Sequence, residues 1–299
     1  MGPAPTACVP LAATSTNVMK TVLYSGSEEL KGLALRRDDL FAADATGIVR
    51  LAEGTASLER VTTAEVDEVM AADLRLYWVE AGSLFRVDYD AMGEAPELVA
   101  SGLQTPATLL RHDETNVFYA HAATSSVWRQ PIDGSAGVQL VTGASVKDMH
   151  VQGGSVFFAA GKAITSIEIE SGEDTEIVAA APRAVLDIDT DGVTLVWSDG
   201  VEVFATDVED RAMPIALTQA GPSATGTGQS RITHLALFGS AIYFADAAGN
   251  VGTARLAGAS CSLLHAGMGQ VRGLAVLDEH TLFANVRVGE SSELWAIMH

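Results

Sequence analysis

Three carboxylates and a histidine recur at matching points of this chain: Glu68 in VDEVMA, Asp148 in VKDMHV, Asp187 in VLDIDT and His234 in ITHLAL. Asp67 adjoins the first, and Arg272 stands one place earlier in VRGLAV. Each stands at the opening of a short run that alternates apolar and other residues. If those runs converge, hard oxygen donors meet around one opening. Glu68, Asp148 and Asp187 would then suit Ca²⁺ or a cationic small molecule. With His234 as a proton carrier, the same set would serve a metal-assisted or acid–base hydrolase or lyase. A second reading gives these residues no chemistry. Lys31, Lys147 and Arg272 open equivalent runs and would neutralise the carboxylates as structural ion pairs.

A second series closes the following runs: Asp44, Glu80, His121, Asp199, Asp246 and, one place earlier in its unit, Asn285. Short acceptors before a Gly-containing turn cap backbone N–H groups, and that local role explains them without a ligand. The Gly-, Ser- and Thr-rich connection Gln219–Arg231 (QAGPSATGTGQSR) is a candidate lid or binding loop. Nucleophilic and nucleotide chemistry have little support. There is no G-x-S-x-G, no H-E-x-x-H among the histidines, and no Walker or dinucleotide fingerprint. No residue set resembles a PQQ or haem site, so Ca²⁺ is the only cofactor the pattern invites.

The elements that position these residues form a repeat. An apolar residue opening the second run of each unit falls at Leu40, Leu76, Val117, Val156, Leu195, Ile242 and Leu282, spaced 36, 41, 39, 39, 47 and 40 residues apart. Phe41, Tyr77, Phe118, Phe157, Val196, Tyr243 and Phe283 follow directly. Each unit holds short period-two runs separated by turn residues, which read as antiparallel strands. A period near forty with four strands per unit predicts a β-propeller, all-β, with seven four-stranded blades. A six-bladed ring with one degenerate unit is the alternative. There are seven candidates for each inner strand but only six for the outermost. Thr21–Gly26 (TVLYSG) matches the missing one and is expected to close the ring in the last blade. Residues 20–299 then form one domain, and residues 1–19 a tail or linker.

LYWVEAGSLFRVDYD, VFYAHAATSSVWRQPIDG and IYFADAAGNVGTARLAG resemble the Tyr-Trp-Thr-Asp class of propeller, although no unit carries all four letters. The resemblance implies extracytoplasmic binding or scaffolding. That class usually builds six blades, where seven are read here.

Composition narrows the partners. The 299 residues are 48% hydrophobic, ample for a large core, and carry 18 basic against 38 acidic side chains, a net charge of −20. Such a surface repels nucleic acid and anionic membranes and attracts basic partners. No stretch approaches the ~18 apolar residues of a membrane span. The expected protein is a monomer that binds a protein or a small cationic ligand without catalysis. Its expected compartment is secreted or periplasmic, with the signal peptide absent from the sequence.

The two cysteines bear on that compartment. By the strand order, Cys261 begins the outer strand of blade six, and the strand near Thr21 is the outer strand of blade seven. The 13 residues from Cys8 to Thr21 reach up to roughly 43 Å at ~3.3 Å each, enough for a Cys8–Cys261 disulfide between neighbouring blades.

Overall fold

The computed structural model describes residues 18–299 apart from 28, 38, 56, 64, 67, 73, 105, 122, 212–213, 220–229 and 258–260. Among the described residues, strands pair into seven antiparallel four-stranded sheets arranged as a ring, a seven-bladed β-propeller. The six-bladed alternative falls away because every unit, including the short first one, forms its own sheet. The strands of each blade, from the centre outward, are called A to D. The A strands are Lys31–Arg36, Glu68–Ala71, Ala107–His112, Val146–Gln152, Asp187–Thr190, Ile232–Phe238 and Gln270–Asp278.

The repeat owes its apolar pairs to the way blades stack. A blade is covered on both faces by its neighbours, so its B strand needs apolar residues on both sides of the pleat. Leu40, Leu76, Val117, Val156, Leu195, Ile242 and Leu282 each pack toward the preceding blade. The residue after each of them, from Phe41 to Phe283, packs toward the following blade. One apolar cluster therefore lies in every gap between blades. In three blades an aromatic one place further along meets the C strand of its own blade: Trp78 stacks with Phe85, Tyr119 with Trp128, and Trp197 with Phe204. In each case the two rings belong to directly paired residues, the geometry in which cross-strand aromatics stabilise a sheet.

Ring closure follows the expected scheme. Met19–Gly26 pairs antiparallel with Ser291–Met298, from Met19 opposite Met298 to Gly26 opposite Ser292. It is thus the outer strand of the sheet that also holds Gln270–Asp278 and Thr281–Val288. Lys20 Nζ lies 3.5 Å from the centre of the Trp295 ring, a cation–π contact across the pairing. On the inner side, Gly273 lets blades seven and one approach closely: a Cβ there would stand 3.0 Å from the Leu33 Cβ. Among the described residues, no helix is long and apolar enough to cross a membrane.

Candidate functional site

Five of the seven A strands carry a bulge near their start, among them Val146/Asp148, Ile232/His234 and Val271/Gly273. A bulge twists a strand and re-aims the side chain beside it. Side chains reach forward into the next blade both from bulged strands, at Asp148 and His234, and from the regular strand Asp187–Thr190. Asp148 is 5% exposed, and its Oδ2 accepts the Ile188 N–H of blade five at 2.8 Å. Asp187 Oδ2 accepts the Leu235 N–H of blade six at 2.6 Å, and Asp189 Oδ2 accepts the Leu237 N–H at 2.7 Å. His234 Nε2 lies 3.2 Å from the Val271 carbonyl of blade seven. Asn285 Nδ2 donates to the Leu30 and Gly32 carbonyls of blade one at 3.1 and 2.9 Å.

Further side-chain contacts run in the same sense. Arg111 of blade three meets Asp148 at 3.3 Å, and His150 of blade four meets Asp189 at 2.9 Å. A hydrogen bond to an ionised carboxylate is worth about 1.5–3 kcal/mol and one between neutral groups about 0.5–1.5, so the supports together add to apolar stacking. These strands join different sheets and have no ladder bonds to each other. The side chains supply the polar connection that the backbone does not.

Asp187 and Asp148 also meet. Desolvation, then the charge of Asp148 and a hydrogen bond to it, push the Asp187 carboxyl well above the usual carboxylate range. The crowding of the two carboxyls favours the protonated form of Asp187, which accepts from Leu235 N–H. Burial lowers His234 below the ordinary imidazole value, with the Val271 carbonyl and Asp148 opposing that shift. A neutral His234 donates Nε2–H to the carbonyl.

The sequence-predicted residues therefore divide. Asp148, Asp187 and His234 occupy consecutive blades as supports between A strands. Glu68 lines a separate part of the channel. Arg272 turns to Glu29 at the seam of blades seven and one, at 3.3 Å, where Arg287 meets the same carboxylate at 2.9 Å. Asp67 lies outside the described residues. Among the described residues, no group of three or more His, Cys, Asp or Glu side chains is placed to hold a metal ion. The cation that meets Asp148 is Arg111, where the sequence had offered Lys147.

Of the turn residues, Asp44, Asp199 and Asp246 behave as caps, while Glu80 accepts from the Trp78 indole N–H and His121 meets the Thr124 hydroxyl. Asp44 Oδ1 accepts from Thr46 N–H at 2.7 Å. Asp199 Oδ1 accepts from Val201 and Glu202, and Asp246 Oδ1 from Ala248 and Asn250. Asn285 departs from the series by bridging to blade one. Of the connection Gln219–Arg231, residues 220–229 lie outside the described residues; Ser230 is buried, and its Oγ accepts the Ala248 N–H at 2.8 Å. Cys261 opens the outer strand Cys261–His265 of blade six as expected, while Cys8 lies outside the described residues.

Two hollows remain. A channel cavity of about 430 Å³ is lined by the aliphatic A strands of blades one to three, including Leu33, Leu35, Met70 and Leu110, with Glu68 and His150 beside them. A groove of about 560 Å³ adjoins it on the face of the A–B connections, across blades two to four, and shares His112, Val151 and Gln152 with the channel. Sequence reasoning missed this groove. Its one visible signal is Leu74, a large apolar residue in a turn.

No protein-family model matches the chain, and no curated protein matches it. Solved structures do. The Neurospora crassa Pan2 WD40 domain is similar at a TM-score of 0.70 and 8% identity, over 95% of this chain and 97% of that one. U3-55K is similar at 0.72 and 13%, over 94% and 98%. YCF48 from Cyanidioschyzon merolae is similar at 0.65 and 10%, over 97% of each chain. At these identities the likeness is one of fold: this chain is a seven-bladed β-propeller with WD40-like structural neighbours.

Proposed function

We propose that the chain is a non-catalytic binding scaffold that presents one propeller face to a partner protein outside the cytoplasm. The observation that carries this reading is the commitment of Asp148, Asp187 and His234 to the backbones of neighbouring blades. Groups that would have to meet a substrate are holding the ring together, which leaves the exposed connections as the variable surface. The WD40-like neighbours agree with a scaffold, since propellers of this kind are typical of protein-interaction modules. The Tyr-Trp-Thr-Asp-like repeats favour an oxidising compartment, and the Cys8–Cys261 bridge expected from the strand order belongs to the same proposal.

Photo-cross-linking tests the reading. A photoreactive residue is placed at Leu74 or Val193 on one face, and at Lys147 or Arg183 on the other, and each protein is exposed to secreted or periplasmic extract. Adducts of defined mass from one face only are expected. No adduct from either face, together with a melting temperature raised by Ca²⁺ or by a small molecule, would replace the scaffold with a channel ligand.

A further inference from the structure

We propose that the groove across the A–B connections of blades two to four docks a cationic peptide segment with an aliphatic anchor. This rests on the scaffold reading and specifies its partner. The groove floor is apolar, formed by Ala72, Tyr77, Ile132 and Val151. At its edge Leu74 is 69% exposed, an aliphatic side chain continuous with the apolar floor. Gly153 and Gly154 leave another part of the lining without side chains, giving room for the backbone of an extended segment.

Charge selects the occupant. Glu114 lines the groove and is exposed. Glu94, Asp133, Glu170 and Glu173 are exposed on the C–D connections of blades two to four, which emerge on the same face. Among the described residues, these five carboxylates form no salt bridge. The basic residue of the lining with a fixed charge, Arg75, is already held by Asp88 at 2.7 Å. An aliphatic anchor beside Glu114, on a propeller face that carries these further acids, fits a segment that alternates or mixes Lys or Arg with Leu-like residues. Such charge steers encounter and is screened by salt, which gives the proposal a signature of its own.

The test is fluorescence anisotropy with a dye-labelled nonapeptide of alternating Lys and Leu, titrated with the full chain. Counterpart peptides carry Glu in place of Lys, or Ser in place of Leu. The Lys/Leu peptide is expected to bind, and to bind about tenfold more weakly to Leu74→Ser and to Glu114→Lys. Binding should weaken as salt rises from about 0.05 to 0.5 M. Val193→Ser, at an equally exposed position on blade five, should leave it unchanged. All three substitutions lie at exposed sites, and an unchanged melting temperature verifies the fold of each. The proposal is overturned if the Lys/Leu peptide does not bind, if binding ignores the groove substitutions, or if the Glu peptide binds as well. A partner cross-linked only from Lys147 or Arg183, with an inert groove, would also overturn docking here and leave the scaffold reading standing.

Discussion

Asp148 and Asp187 show how one residue type at one repeat position can be read two ways. On a straight strand converging on the axis, both carboxylates would open into the channel. The bulge before Asp148 and the close approach of the next A strand turn them into acceptors for backbone N–H groups instead. Replacing Asp148 by Ala strands the buried Ile188 N–H and removes the partners of Arg111 and Asp187. We expect a loss of about 2–3 kcal/mol by chemical denaturation. Asp187→Asn is a different case, because Asn, like the protonated acid, is uncharged and keeps an acceptor for the Leu235 N–H. The folded-state pKa of Asp187 is raised, so between the ordinary carboxylate value near ~3.9 and that raised value the folded protein holds the extra proton. Stability from this group is present at low pH and declines as pH rises through that window. Wild type should therefore lose melting temperature relative to Asp187→Asn from about pH 4 upward. Parallel profiles for the two proteins would contradict the favoured protonation of Asp187.

At the scale of strands, the sequence was legible wherever packing is set by alternation alone. Leu40 with Phe41, or Leu76 with Tyr77, must point to opposite faces of a sheet, and both faces are buried in every blade. The apolar pair and the forty-residue period thus carried blade number and strand order, including the displaced outer strand. What the pattern could not carry were the bulges in the A strands, which depend on neighbouring blades and leave no mark in a period of two. The bulge at Asp148, and the approach of the Leu235 N–H to Asp187 on its regular strand, are why both looked like ligands. Leu74 stayed hidden for another reason: a single apolar residue in a turn gains meaning only when three blades bring Tyr77, Ile132 and Val151 beside it. The closing strand gives the clearest prediction at this scale. Deleting residues 1–26 exposes the edge of Ser291–Met298, and the truncated protein is expected to melt lower and to aggregate in light scattering. A truncated protein that remains monomeric with an unchanged melting temperature would contradict closure by this strand.

For the whole molecule, closure and compartment are linked through the two cysteines. A Cys8–Cys261 bridge would tie the tail to blade six and add on the order of 2–4 kcal/mol, less if strand pairing already restrains the tail. Alkylation under denaturing, non-reducing conditions followed by intact mass should show no labelled cysteine; two labels would remove the bridge and weaken the case for export. The account as a whole holds that the inner-strand acids build the ring and that the exposed connections bind. The most direct measurement is the affinity of the cross-linked partner for the double variant Asp148→Asn/Asp187→Asn, taken by biolayer interferometry below its melting temperature. The account predicts a Kd within about twofold of wild type, a difference under ~0.5 kcal/mol, alongside a lower melting temperature. A folded double variant whose affinity falls about tenfold or more would contradict it and return those carboxylates to the binding site.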